Sequence, residues 1–184
     1  MDFEKVLKLL MKDFEKENIN YALVGGFAMG ALGIMKTTMD LDFLVEHSDL
    51  PKIGKLMKKY SYKRVYNTEN VSQYVSDIKI FGELDFLHAF REISISMLKR
   101  SKAISVFEGK LKIRVLLPED IIGLKLQALA NNPARENKER ADIEIIAEYF
   151  GDKLDWDLIK EYFNLFQKEN EYTKLRKRYG DFKR

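Results

Sequence analysis

Apolar residues return at helical spacing from the first turn of the chain. Phe3, Val6, Leu7, Leu10, Met11 and Phe14 fall on one face, and Asp2 stands where an N-cap belongs. This pattern predicts an amphipathic helix packed on a sheet. The rhythm then shortens. "YALVG" reads as a short strand, "FAMGALGIM" as a helix and "LDFLVE" as a second strand. Asp49 and Pro51 open a helix that runs to about Tyr60. "YKRVY", "SQYVSDIKIF" and "GELDFLHA" carry the β-branched and aromatic residues of strands. "REISISMLKR" fits either a helix or a strand, and "SKAISVFEGKLKIRVLL" predicts a hairpin turning at Glu108-Gly109. From Pro118 onward "PEDIIGLKLQALAN", "ENKERADIEIIAEYF" and "DWDLIKEYFNLFQKEN" all read as helices. No repeat or low-complexity segment interrupts them. The expected class is therefore α/β (α+β). A mixed sheet flanked by helices occupies residues 1–117, and a C-terminal helical bundle, residues 118–184, packs on that core.

Composition narrows this picture without redirecting it. The 184 residues make one ordinary domain, or one domain with a helical extension. With 46% hydrophobic and 12% aromatic residues the chain can bury a core, which excludes a disordered protein. A formal net charge of +3 does not by itself demand a nucleic-acid partner. The absence of cysteine excludes disulfides and thiolate metal sites, and fits a reducing cytoplasm. The first residues, "MDFEKVLKLLMKDFEKEN", lack the long apolar core of a signal peptide, and no run reaches bilayer-spanning length. A cytoplasmic protein with no membrane partner is the expectation.

The candidate chemistry lies between Tyr21 and His47. Gly25 and Gly26 follow a strand and lack a Cβ, so backbone there can come close to a ligand. The helix that follows offers free N–H groups and a positive dipole end to a phosphate. A bare Gly-Gly is as often only a tight turn. Asp40 and Asp42 stand two apart in "MDLDFLV", so their side chains share one face of a strand, roughly 6–7 Å apart. Leu41, Phe43 and Val45 take the opposite face, which must be core. Two such carboxylates repel, and a hard divalent cation removes the cost, since Mg2+ takes one or two carboxylates plus substrate phosphates. A solvated strand edge is the plainer reading of an Asp-x-Asp alone. Asp85 in "GELDFLHA" repeats the apolar-acid-apolar pattern, whereas Glu83 reads as an edge residue. If the two strands are neighbours, a phosphate cradle, a metal site and a base converge, as phosphoryl and nucleotidyl transfer require.

The order Gly25-Gly26, short helix, "KTTMDLDFLV", then "ELDFL" resembles the nucleotidyltransferase superfamily of the DNA polymerase beta type. "GGFAMGALGIMKTTMDLDFLV" and "LLPEDIIGLKLQALANNPARENKERADIEII" are similar to its AbiEii-type toxin branch and minimal relatives, over about Tyr21 to Phe150. That branch often has arginine where Lys36 stands, and lysine keeps the charge without the bidentate fork.

The resemblance implies a nucleotidyltransferase fold and a role for each matching residue. Gly25 and Gly26 would cradle the triphosphate. Asp40, Asp42 and Asp85 would bind one or two Mg2+ ions, and Asp85 would help deprotonate the acceptor hydroxyl. Lys36 would add charge at the nucleotide. Thr37 or Thr38 would steady the loop or touch a phosphate, or serve only as strand-edge hydroxyls. Lys125 would reach a phosphate and offset transition-state charge, or stand as a solvated helix lysine. Asp142 would orient Lys125 or touch nucleotide. The implied reaction is Mg2+-dependent transfer of a nucleoside monophosphate from an NTP to a hydroxyl acceptor. That acceptor is an RNA 3′ end such as tRNA, a protein side chain or an antibiotic. A toxin-like member would have a cognate antitoxin. A catalytically silent nucleotide-binding or interaction module of the same fold is the alternative.

Other features carry plainer readings. His47 and His88 lack metal-ligand spacing and read as structural. Arg140 faces solvent or an acidic partner. Trp156 and Phe163, at helical spacing, read as core. The basic tail "KLRKRYGDFKR" either complements a helix dipole and then frays, or grips RNA phosphates.

Overall fold

A computed structural model describes residues 1–180 of the chain. The described residues divide into two compact units, Met1–Leu116 and the residues from Leu117 on.

The first unit is built on a mixed sheet of seven strands among the described residues, in the order β3-β4-β5-β2-β1-β7-β6. In chain order the strands are β1 (Tyr21–Val24), β2 (Asp40–Glu46), β3 (Tyr62–Asn67), β4 (Val71–Ser76), β5 (Glu83–Ala89), β6 (Lys102–Val106) and β7 (Leu111–Val115). The helices of this unit are α1 (Phe3–Lys16), α2 (Gly25–Ala31), α3 (Leu50–Lys59) and α4 (Glu92–Arg100). Strands β2 and β5 run parallel, as do β1 and β7, and the other neighbours are antiparallel.

α1 forms as its periodicity predicts, with the Asp2 carboxylate accepting from the Lys5 N–H at 3.2 Å. Its Val6, Leu7, Leu10 and Phe14 are buried. The Phe14 ring meets Tyr21 at 5.2 Å and Phe43 at 5.7 Å, and Phe43 stacks on Phe86 at 5.3 Å. Leu41, Phe43 and Val45 are fully buried on that face, which leaves the alternate residues of β2 to the other. Burying rings of this size stabilises the fold by about 1.5–3 kcal/mol each.

α2 and β4 depart from the sequence reading. α2 begins at Gly25 itself and ends at Ala31, so residues 33–39 run as a loop rather than as the end of a helix. β4 stops at Ser76, where "DIKIF" was expected to extend it; Asp77 to Phe81 bends, and the Phe81 N–H donates to the Ile78 carbonyl at 2.9 Å. The ambiguous "REISISMLKR" is helix α4. The β6–β7 hairpin turns where Phe107, Glu108 and Gly109 all take positive φ.

His88 is buried near the end of β5. Its Nδ1–H donates to the Glu69 carbonyl at 2.8 Å, and Nε2 lies 3.0 Å from the Ser72 hydroxyl. Burial pushes its pKa below the usual 6.5, helped by His47 6.1 Å away between ring centroids. The folded state therefore holds the imidazole neutral while the unfolded chain protonates it near 6.5. The stabilisation is complete above that pH and declines as pH falls below it. We expect the melting temperature to drop between pH 7.5 and 5.5, and His88→Gln to flatten that part of the profile. An unchanged slope in the variant would remove His88 from the account.

The second unit is helical: α5 (Pro118–Asn131), α6 (Glu136–Phe150), α7 (Trp156–Leu165) and α8 (Glu169–Tyr179). Pro118 starts α5, where its missing N–H costs nothing. Gly123 lets α7 approach α5, since a Cβ there would stand 3.0 Å from ring carbons of Tyr162. The Tyr162 hydroxyl donates to fully buried Asp120 at 2.6 Å, and Glu119 accepts from the Asp155 N–H at 2.8 Å. Trp156 and Phe163 are core residues, as read from their spacing. Arg140 pairs with Glu136 at 2.7 Å and Glu171 at 2.5 Å. Arg176, Lys177 and Arg178 close the last turn of α8, where positive charge complements the dipole. The last four residues of the basic tail, 181–184, lie outside the described residues. No helix among the described residues is long and apolar enough to cross a membrane.

Candidate active site

The register of β2 against β5 organises the acids. Asp42 pairs with Asp85 and Asp40 with Glu83 across the parallel ladder. Paired neighbours project to the same side of a sheet, and strands lie about 4.8 Å apart. Asp40, Asp42, Glu83 and Asp85 therefore share one face, opposite the phenylalanine stack, and all four are half-buried. Glu83, read from the sequence as an edge residue, sits inside this face. Its signal was visible, since Glu83 and Asp85 repeat the two-residue spacing of Asp40 and Asp42.

The glycine turn lies against the same acids. Val24, the last residue of β1, pairs with Asp42, so the chain leaves the sheet beside that carboxylate. Gly25 follows with φ of +66°, and a Cβ there would stand only 2.7 Å from the Asp42 carboxyl carbon. Glycine is required at this position by both backbone angle and space. Gly26 is packed as closely on the loop before β2: its absent Cβ would lie 2.8 Å from both Cβ and Oγ1 of Thr38, and 3.7 Å from Cγ of Lys36. The Thr38 hydroxyl donates to the Asp40 carboxylate at 2.5 Å. Lys36 is half-buried, and Thr37 is exposed. No side chain caps the N-terminus of α2. Met35 and Met39 flank this loop at 100% and 84% exposure.

Asp85 is also bordered on its other side. Gln73 of β4 pairs with it, and the Gln73 side-chain amide donates to the Glu83 carboxylate. Among the described residues, no three acidic, histidine or cysteine side chains are gathered tightly enough to hold one metal ion by themselves.

Lys125 and Asp142 belong to the helical unit, where they meet each other. Lys125 Nζ lies 2.5 Å from Asp142 and 3.0 Å from Glu139. All three are buried, and Arg135 reaches the second oxygen of Glu139 at 2.8 Å. Glu139 was not singled out from the sequence. Its spacing of three from Asp142 puts both on one face of α6 and was the signal available.

A family model described as "Nucleotidyl transferase of unknown function (DUF2204)" matches residues 3–179. No curated protein matches the chain. Among solved structures, the chain resembles the antibiotic-resistance factor ANT(2″)-Ia in solution, with a TM-score of 0.64 and 14% identity over 97% of this chain and 98% of that one. A crystal structure of ANT(2″)-Ia in complex with adenylyl-2″-tobramycin matches with a TM-score of 0.60 and 13% identity over 96% and 98%. An antigenic nucleotidyltransferase-like protein from Paracoccidioides brasiliensis matches with a TM-score of 0.54 and 18% identity over 96% and 92%. At these identities the likeness is one of fold.

Proposed function

Since the chain belongs to the DUF2204 family of nucleotidyl transferases, we propose that it moves a nucleoside monophosphate from an NTP to a hydroxyl acceptor with Mg2+ as cofactor. One observation supports this above the others. The Asp42–Asp85 pair stands side by side on one sheet face, with Gly25 lying directly against Asp42.

The donor set fits the metal. It is made only of carboxylate oxygens, and Mg2+ draws on one or two of these plus substrate phosphates rather than on a closed protein cage. Asp42 and Asp85 would hold it, with Asp40 alongside, fixed by Thr38. The bound ion supplies charge neutralisation at the phosphoryl oxygens and eases ionisation of the acceptor hydroxyl. The chain's own groups supply the rest. Gly25 and Gly26 let Asp42 and Thr38 pack directly against the turn, where the backbone N–H groups that open α2 would meet the triphosphate. Lys36 adds positive charge at the same loop, and Thr37 offers its hydroxyl to a phosphate oxygen while Thr38 holds Asp40. Asp85 takes the proton of the acceptor hydroxyl as its oxygen bonds to the α-phosphorus. The bond from that phosphorus to the bridging oxygen breaks, and pyrophosphate leaves with the electron pair. Lys125, oriented by Asp142 and Glu139, is assigned to the charge that grows on the departing pyrophosphate.

A small-molecule acceptor is the reading favoured by the match, along nearly its whole length, to a protein solved with an adenylylated antibiotic. A toxin-like transferase acting on tRNA, with a cognate antitoxin, is the second reading. It draws on the block containing Lys125 and Asp142, which resembles that branch and which the fold joins in an ion pair.

Incubation with each labelled NTP and Mg2+, with tobramycin or with tRNA, tests the reaction and separates the acceptors. Label transfer with pyrophosphate release is the expected result. Nucleotide binding without release under every condition would instead identify a silent nucleotide-binding module.

A further inference from the structure

The row of paired residues that holds Asp42 and Asp85 does not end there. It continues to Gln73 on β4 and from Gln73 to Tyr66 on β3. Residues paired across a ladder share a face, so Tyr66 stands on the acid-bearing face. It lies roughly 10 Å beyond Asp85 at two strand spacings. Tyr66 reaches this place through a bulge: the register shifts between Arg64 and Tyr66, leaving Val65 as the extra residue. Without the shift Val65 would stand opposite Gln73. Bulges at sheet edges commonly re-aim a side chain in this way. The ring is 54% exposed and packs in none of the aromatic pairs of the core.

The two flanks of the acid pair are chemically different. On the β1 side stands the Gly25–Gly26 turn, the place of the triphosphate in the function proposed above. Phosphoryl transfer needs the attacking and leaving oxygens roughly in line through the phosphorus. With pyrophosphate leaving on the glycine side, the acceptor hydroxyl must approach from the opposite side, over β5, β4 and β3. That surface holds Glu83, Gln73 and Tyr66. Gln73 donates an amide proton to Glu83, so what the pair offers a ligand is chiefly acceptor oxygen. A molecule seated there must bring donors, hydroxyl or ammonium, and a ring face to lie on Tyr66.

We infer that Tyr66, with Gln73 and Glu83, forms the acceptor subsite, and that it takes a donor-rich molecule of two or more rings. One ring presents its hydroxyl at Asp85 and another lies against Tyr66. The inference rests on the nucleotidyltransferase reading, and a binding measurement separates the two. Tobramycin, a multi-ring polyol amine, is the probe, titrated calorimetrically into protein saturated with Mg2+ and a non-hydrolysable NTP analogue. Tyr66 is exposed, so its replacement does not threaten the fold. Tyr66→Ala is expected to weaken tobramycin binding at least tenfold, and Tyr66→Phe, which keeps the ring, less than about threefold. Affinity for the NTP analogue should stay within twofold in both. No tobramycin binding by the wild type, or equal binding by Tyr66→Ala, overturns the subsite. Loss of NTP-analogue binding in the wild type would instead overturn the parent reading.

Discussion

Asp42→Asn is expected to remove turnover by about 10³-fold while leaving the fold intact. The side chain is central to the proposed chemistry in three respects. It pairs with Asp85 across the parallel ladder, lies against Gly25, and shares its face with Asp40. Converting one ligand oxygen to an amide removes a full negative charge from the cation's donor set. Electrostatic stabilisation of a transferring phosphoryl group amounts to several kcal/mol, and about 4 kcal/mol corresponds to the stated factor. Leu41, Phe43 and Val45 carry β2 into the core on its other face, and asparagine nearly matches aspartate in volume. Removing a carboxylate beside Asp85 also reduces like-charge repulsion, so the melting temperature should stay level or rise slightly. Pyrophosphate release and a thermal scan, each with and without Mg2+ and NTP, provide the check. Equal ligand-induced stabilisation in variant and wild type would sink the metal-ligand role.

How far the sequence reached is clear from individual residues. The two-residue period of β2 separates Asp40 and Asp42 from the buried Leu41, Phe43 and Val45, and helical spacing picks out the buried face of α1. Both signals are local, fixed by strand and helix geometry. Strand order is not local. Nothing in "GELDFLHA" says that it lies parallel to "LDFLVE" with Asp85 beside Asp42, because that pairing depends on the path of the intervening chain. The bulge that aims Tyr66 is equally hidden, since it exists only as a register shift between two strands. The glycine pair was legible as a place of close approach, but the partners, Asp42 and Thr38, were not. Glu83, which reads as an edge residue, and Glu139 are weakly marked for another reason. A single acid in a charged chain usually faces water, so the spacing of Glu83 from Asp85 and of Glu139 from Asp142 gains weight only with the tertiary pairing to Gln73 and Lys125.

Lys125→Ala should lower both stability and turnover, and the two losses should be separable. Lys125 is only 8% exposed and lies between Glu139 and Asp142, each about as buried. Removing its ammonium takes a buried cationic partner from both carboxylates, while Arg135 stays at Glu139. Breaking a buried pair in this way typically costs about 3–5 kcal/mol. In a domain of this size that corresponds to a fall in melting temperature of roughly 10 °C. Replacing the whole cluster, Lys125→Met with Glu139→Gln and Asp142→Asn, removes the uncompensated charges and should recover much of the loss, since well-packed neutral groups can match a buried ion pair. Stability alone thus reports on the pairing within the helical unit. Turnover reports on the phosphate role. If the Lys125 charge meets the departing pyrophosphate, both variants, assayed well below their melting temperatures, should lose about 10²-fold in kcat, with the NTP affinity changing only a few-fold. A triple variant that regains stability and also full turnover per folded molecule would confine Lys125, Glu139 and Asp142 to joining α5 to α6. The glycine turn and the carboxylate row would then carry the chemistry alone.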